Sequence, residues 1–189
     1  METEARLVTA LWQVVAEHGW EGLSMARLSA VSGVPMAEIR RLAPTRMALL
    51  RLHGRLMDQA VLEGGVADPA ATPRDRIFDA LMRRVDAMQP HRAGLLRLFE
   101  ELKRDPLLAL LLAAELPSAM AWMLEAAGLA PHGLPGLLRV KGLGAVWLAT
   151  IRAWTKDEGE DLGATMAALD RALDQAEKLA RSLRLPLDD

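Results

Sequence analysis

The chain has 189 residues, enough to bury a substantial core as one large domain or as one domain with a small appended one. Apolar residues make up 51% of it and aromatic residues only 4%, and the dominance of Leu and Ala favours helices over a β-sandwich or a barrel. Because the sequence has no cysteine, we expect no disulfide, thiolate metal site or cysteine nucleophile, which is consistent with a cytoplasmic protein.

The first third of the chain predicts four helices. The acidic start, METEARLVTALW, has no basic region leading into an apolar core, so we expect no secretory signal. Ser24 is a suitable N-cap for a second helix that Gly33 ends, Pro35 suits the first turn of a third, and Thr45 caps a fourth. These predicted helices span residues 3–18, 25–31, 35–43 and 46–63.

The rest of the chain predicts a larger helical body. Residues 63–73, EGGVADPAATP, are a candidate linker in front of it. The leucine-rich stretch 107–114 is eight residues long before Glu115, whereas a membrane span needs about 20, so we expect a buried helix and no transmembrane segment. The predicted helices span residues 73–88, 95–102, 106–128, 137–155 and 161–183. The expected fold is all-α with about nine helices.

Arginines are concentrated between residues 27 and 55, a segment that contains six Arg and only one acidic residue, Glu38. A local net charge of +5 over 29 residues attracts polyanions. A solvated arginine face that solubilises a short module would explain the same residues, and the charge count alone does not decide between the two.

Three short helices followed by a longer one, with the tight turn VSGVP between the second and third, form a helix-turn-helix layout. Residues 5–50, from ARLVTALW to the closing ALL, resemble the N-terminal domain of the tetracycline-repressor (TetR) family of regulators. The resemblance includes the HGWEGLSM junction and the LSAVSGV run. It implies a helix-turn-helix DNA-binding domain over residues 1–50 and a helical effector-binding and dimerisation domain over 51–189, with the helix 46–63 connecting them.

The resemblance implies a transcriptional regulator, expected to be a repressor, whose partner is double-stranded operator DNA. The residues expected to contact phosphates are Arg27, Arg40, Arg41 and Arg46, with the capped helix starts at Ser24 and Thr45. Met36, Ala37 and Glu38 are expected to face base edges, where Met36 and Ala37 can offer only apolar contact, for example to a thymine methyl. The family usually has Thr, Tyr, His and a large aromatic residue where this chain has Glu38, Arg40, Leu42 and Ala43, and Arg46 replaces a Lys.

The body is expected to hold a small apolar effector and to form a homodimer, as the resemblance implies. The candidate effector pocket comprises Met88, Phe99, Leu102, Trp122, Met123 and Trp147, although core packing is the commoner role of such tryptophans. An apolar stripe along the last helix is the candidate dimer interface, with one side free to cover the protein's own core instead. The interface residues are Trp154, Leu162, Met166, Leu169 and Leu173, and the stripe continues to Leu183.

A second resemblance provides the alternative. Residues 73–100 and 161–179 resemble the ubiquinone-biosynthesis accessory proteins, which share the TetR-type fold and are implied to bind lipids or quinones and a partner hydroxylase rather than DNA. An enzyme is not expected, because the four histidines are scattered and no P-loop or G-x-S-x-G motif occurs. The sequence predicts no cofactor and no metal site.

Overall fold

The computed structural model describes residues 2–64 and 70–182, and every regular element in these ranges is helical. The nine α-helices of this part are α1 (Glu2–His18), α2 (Met25–Ser32), α3 (Met36–Leu42), α4 (Arg46–Glu63), α5 (Pro73–Met88), α6 (Arg92–Leu102), α7 (Pro106–Ala126), α8 (Gly133–Trp154) and α9 (Gly163–Ser182). A short 3-10 helix, Gln89–His91, lies between α5 and α6. The predicted all-α fold is confirmed.

Three predicted helix starts differ from the structure by two residues or more. The helix expected from residue 95 begins at Arg92. The helix expected from residue 137 begins at Gly133, because Pro135 fits the first turn of a helix and does not prolong the loop. The last helix begins at Gly163 because Leu162 has φ 53° in the left-handed region, which an α-helix cannot accommodate. Residues 65–69 of the predicted linker and Leu183 of the predicted stripe lie outside the described residues.

The chain forms two compact units, each built from two segments. Unit 1 comprises Met1–Gln59 and Ala87–Glu115, and unit 2 comprises Ala60–Asp86 and Leu116–Asp189. The division at residue 50 that the sequence suggests stays a prediction.

In unit 1, α1 packs against α2 and α6. Its core is apolar, with Leu7, Leu11, Leu23, Leu28, Ile39, Leu49 and Leu52 almost fully buried. Gly94 of α6 allows the closest approach, since a Cβ there would overlap the carbonyl oxygen of Trp12 and lie 2.9 Å from its Cα. Helix α1, against which α2 packs, is therefore also fixed to α6.

In unit 2, α8 packs along α9, and a buried carboxylate organises the turn between them. Asp157 Oδ2 accepts hydrogen bonds from the backbone N–H and the hydroxyl of Thr165, both at 2.7 Å. Its Oδ1 accepts from the N–H of Gly159 at 3.1 Å. The segment KDEGED, residues 156–161, thus contains a buried acceptor that caps the start of α9.

The leucine-rich stretch 107–114 is not buried, contrary to the sequence-based expectation. Leu107 and Leu110 are each 66% exposed, and Leu108 is the leucine that packs inward. A helix that is apolar all round must leave one face outside when only one face finds a partner. By length and composition, α7 and α8 could each cross a membrane, but a core helix of a globular protein passes the same test, so these two helices do not establish a membrane segment.

Candidate nucleic-acid interface

The turn between α2 and α3 is fixed by local hydrogen bonds. Ser24 Oγ accepts from the N–H of Arg27 at 3.2 Å, which confirms the predicted N-cap of α2. Gly33 ends α2 in the left-handed conformation, φ 68°, and its N–H donates to Ser29 O at 3.0 Å. The hydroxyl of Ser29 donates to Val34 O at 2.7 Å, so α3 begins at a defined position relative to α2.

Helix α3 has one buried side and one exposed side. Ile39 and Ala43, at its C-terminal boundary, are almost completely buried, so the large aromatic residue usual in the TetR family would not fit at Ala43 without repacking. Met36 is 55% exposed, and Ala37, Arg40 and Arg41 are exposed too. At about 100° per residue, Ala37 and Arg41 lie opposite Ile39, and Met36 and Arg40 lie beside them. The exposed side is the surface that α3 can present to a partner.

Two of the predicted phosphate-binding arginines are attached to the junction between α1 and α2. Arg46 donates to the carbonyl oxygens of Trp20 and Glu21, both at 3.4 Å, and lies 4.0 Å from the Glu21 carboxylate. Arg27 donates to Gly22 O. These contacts hold both guanidinium groups beside the helix-turn-helix.

The two adjacent arginines of α3 differ in their partners. Arg41 lies 3.4 Å from Glu38 Oε1, an i,i+3 ion pair on the exposed surface. Within residues 2–64 and 70–182, the side chain of Arg40 makes no hydrogen bond or ion pair. The Glu38 charge, which would repel DNA phosphates, is therefore offset by its own neighbour.

Thr45 caps α4 as predicted, since its hydroxyl accepts from the N–H of Ala48 at 3.0 Å. One further arginine of the basic segment, Arg51, pairs with Glu115 at 2.8 Å, and this acid lies far outside the segment in sequence. Exposed pairs of this kind contribute about 0–1 kcal/mol, but they neutralise charge locally. The field predicted from the arginine count is consequently weaker at Arg41, Arg46 and Arg51 than at Arg40.

A long-range contact, which no sequence pattern indicates, connects Glu101 of α6 to the junction between α1 and α2. Glu101 of α6 accepts the backbone N–H of Trp20 through Oε2 at 2.8 Å, and its Oε1 accepts from Arg97 Nε at 2.8 Å. Gly19, with φ 71°, leaves the space that the Glu101 carboxylate occupies. The partners are separated by 81 residues, so local rules could not have found them.

Unit 1 contains a cluster formed by Trp12, the buried His53 and the half-buried His91. Trp12 Nε1 donates to Nδ1 of His53 at 3.2 Å, and the His53 and His91 rings meet edge to face with centroids 5.6 Å apart. Burial lowers the pKa of His91 below the usual histidine value. The neutral form of the His91 ring is therefore favoured.

Comparisons with known proteins agree with this architecture. No family model matches the chain, and no curated protein matches it. Among solved structures, it is similar to a TetR transcriptional regulator from Nitrosomonas europaea ATCC 19718, with TM-score 0.71 and 21% identity over 94% of this chain and 99% of the other. It is also similar to a TetR transcriptional regulator from Rhodococcus sp. RHA1, with TM-score 0.63 and 17% identity over 92% and 94%.

The chain has the TetR fold. At these identities the likeness is one of fold, and it extends over nearly the whole of each chain. The second resemblance, to ubiquinone-biosynthesis accessory proteins, receives no support from either structure.

Within this TetR fold, the six predicted effector-pocket residues are divided between the two units. Met88, Phe99 and Leu102 belong to unit 1, and the other three belong to unit 2. Trp122 is 48% exposed, and Trp147 packs against Arg84, whose guanidinium carbon lies 5.6 Å from the ring centroid.

Unit 2 instead contains a cavity of about 950 Å³ between the start of α5, the end of α7, and helices α8 and α9. None of the six predicted residues lines it. Its apolar lining includes Ile77, Leu129, Leu138, Val146, Leu173 and Leu179. Among the described residues, no group of three His, Asp or Glu side chains could hold a metal ion.

The predicted dimer residues mostly pack inside the chain. Trp154, Leu162, Leu169 and Leu173 are buried, and of the five only Met166 is exposed. The α9 stripe covers α8 of its own chain, in contrast to the predicted interface, because both helices supply apolar faces within unit 2. A different row is exposed, which we call the α8 stripe; it comprises Leu134, Leu137, Leu138, Gly142, Ala145, Leu148 and Ala149.

Proposed function

We propose that this chain is a DNA-binding transcriptional regulator of the TetR type, with the exposed side of α3 entering the major groove. The observation that carries the proposal is the helix-turn-helix of unit 1, in which Ser24 caps α2 and Ile39 and Ala43 anchor α3. The side chains of Met36, Ala37 and Arg40 on α3 are exposed. The TetR fold supports the same function by analogy. The proposal assigns the chain no catalytic step.

Phosphate contacts are proposed for Arg27 and Arg46 at the edge of the module. Both guanidinium groups are held by main-chain carbonyls, which leaves remaining N–H donors for phosphate oxygens. The exposed caps Ser24 and Thr45 put helix N-termini on the same module, where anions are favoured. Such contacts set the register on DNA and do not read its sequence.

We further propose a homodimer through the α8 stripe. Leu134 and Leu148 are 71% and 60% exposed, and the row lies at helical spacing along the helix. Small residues at Gly142, Ala145 and Ala149 would let a second copy approach closely, and a twofold contact uses the same surface on both chains. A second copy is the occupant that a palindromic DNA site requires, because two half-sites need two modules.

We also propose that a small apolar effector binds this protein, in the cavity of unit 2 and not at the six residues predicted from the sequence. The cavity in unit 2 is within the usual size range of small-molecule sites and shares Leu138, Gly142, Ala145 and Ala149 with the α8 stripe. An apolar molecule bound there would alter the proposed dimer contact and so shift the population of DNA-competent dimers. Repression and release by such an effector follow as the proposed mode of regulation.

Selection from randomised duplex DNA, followed by binding over a salt series, tests DNA recognition. We expect enrichment of a palindromic site and an affinity that falls steeply as salt rises. Arg27→Ala should lower the salt slope by about one unit while the selected sequence stays the same. If no sequence is enriched at low salt, the regulator proposal is wrong.

Sedimentation of two leucine variants tests the dimer. Leu148→Glu, in the α8 stripe, should yield monomers because it places a charge in the centre of the apolar contact. Leu107→Glu changes an equally exposed leucine of α7 and should leave the dimer intact. Equal behaviour of the two variants would contradict the proposed interface.

A further inference from the structure

Arg40 occupies a distinctive position on the exposed side of α3. With 3.6 residues per turn, it lies about 40° around the helix from Met36 and about 60° from Ala37, between the two. Residues three and four apart are neighbours on a helix surface, so all three side chains form one small patch. Each of the three is exposed.

The other arginines near this patch are engaged elsewhere. Arg41 is also on the exposed side, about 40° around the helix from Ala37, but its guanidinium group pairs with Glu38 at 3.4 Å. Arg27 and Arg46 donate to carbonyl oxygens of the α1–α2 junction. In the part of the chain that the structure describes, Arg40 keeps all five N–H donors available to a partner.

Apolar neighbours favour a base over a phosphate as that partner. A phosphate contact requires only a cation at the edge of the module, whereas Arg40 is flanked by Met36 and Ala37 on the side that faces the groove. In the major groove, guanine presents O6 and N7 to a guanidinium fork, and thymine presents a methyl group to apolar side chains. The patch therefore matches a guanine beside a thymine.

We propose that Arg40 determines specificity by reading a guanine through its O6 and N7 atoms, with Met36 and Ala37 against the methyl of a neighbouring thymine. This inference rests on the proposed function and refines it, because the sequence alone assigns Arg40 to a phosphate. Each operator half-site then contains a G·C pair whose identity depends on one side chain.

The test compares sequences selected by the wild-type chain, Arg40→Ala and Arg40→Gln, each as the full-length protein. Arg40→Ala should reduce discrimination for guanine at one position of each half-site by about 5- to 150-fold, and the salt slope should stay near the wild-type value. Arg40→Gln should shift the preference at that position towards adenine, because an amide pairs with adenine N6 and N7. Since Arg40 is exposed and has no protein partner in the described part, neither change should affect folding.

The outcomes separate this inference from the proposed function. If the wild-type protein selects a site and both Arg40 variants select the same site with a lower salt slope, Arg40 contacts a phosphate and the inference is wrong, while the regulator proposal stands. If the wild-type protein selects no site, both fail together. A change of preferred base in Arg40→Gln supports the inference in a way that a merely structural role could not reproduce.

Discussion

Glu101 joins α6 to the junction that precedes the helix-turn-helix, and Glu101→Ala would remove this connection. The carboxylate accepts the Trp20 N–H at 2.8 Å and a hydrogen bond from Arg97 at 2.8 Å. The Glu101 side chain is only 23% exposed, and Trp20 is buried. With alanine at position 101, the backbone N–H of the buried Trp20 would lose its acceptor, and water would have little access to replace it.

The expected loss follows from these two contacts. A hydrogen bond to a charged group contributes about 1.5–3 kcal/mol, and an exposed i,i+4 ion pair adds about 0.3–0.5 kcal/mol. Together they predict a loss of about 2–3 kcal/mol in the free energy of unfolding. For a chain of this size, each kcal/mol lowers Tm by about 2–4 °C, so Tm should fall by about 4–12 °C.

Thermal unfolding followed by circular dichroism measures this shift, with Glu100→Ala as the matched control. Glu100 is the preceding residue of α6, is 69% exposed, and pairs with Lys103 on the surface. Its loss should change stability by at most about 1 kcal/mol. Gly19→Ala should reproduce part of the Glu101 effect, because its Cβ would displace the carboxylate and φ 71° disfavours alanine. Equal Tm shifts for Glu101→Ala and Glu100→Ala would refute the assigned role of the Trp20 contact.

Three other changes test the core contacts of the two units. Asp157→Ala removes the acceptor of the Thr165 N–H and hydroxyl, and urea unfolding should show a loss of about 3–5 kcal/mol. Gly94→Ala forces a Cβ against the backbone of Trp12, and the same assay should show a loss of about 1–3 kcal/mol. Because burial lowers the pKa of His91, the unfolded chain binds more protons as pH falls through about 6.5, so stability should decline there and decline less in His91→Gln.

The changes at Asp157 and Gly94 each have a control of the same type elsewhere in the chain. Asp161→Ala removes an exposed carboxylate that accepts only the Gly163 N–H at 3.2 Å, so it should cost far less than Asp157→Ala. Gly54→Ala adds a Cβ that meets nothing within 4 Å in the middle of α4, and it should stabilise the helix by up to about 1 kcal/mol. A variant that behaves like its control would contradict the contact assigned to it.

Several helix starts could be predicted from the sequence because the hydrogen bonds that cap them join residues only three positions apart. Ser24 and Thr45 accept from N–H groups three residues ahead, and Asp105 does the same for Leu108 at 2.9 Å. Each cap needs only a short polar side chain in front of an apolar pattern, which a sequence displays directly. Gly33 is equally local, because the left-handed end of α2 requires a residue without a Cβ.

The pairing of apolar faces could not be predicted in the same way. The α9 pattern identifies a buried face, but periodicity does not say whether the partner is another helix of the same chain or a second copy. Leu169 and Leu173 face α8 of their own chain, and the exposed row lies instead on α8, whose sequence is apolar on both sides. When a helix is apolar on two faces, the periodicity of its apolar residues does not show which face is exposed.

The arginine field illustrates how tertiary structure changes the meaning of a charge count. The sequence shows six arginines against one acid between residues 27 and 55, but Glu21 and Glu115 come from outside that segment to meet Arg46 and Arg51. Within the segment, Glu38 meets Arg41 and leaves its neighbour Arg40 unpaired in the described part. Acidic partners thus neutralise part of the charge at Arg41, Arg46 and Arg51, whereas the guanidinium group of Arg40 on α3 has no such partner in the described part. That difference between neighbouring residues, which composition cannot express, is the basis for assigning base recognition to Arg40.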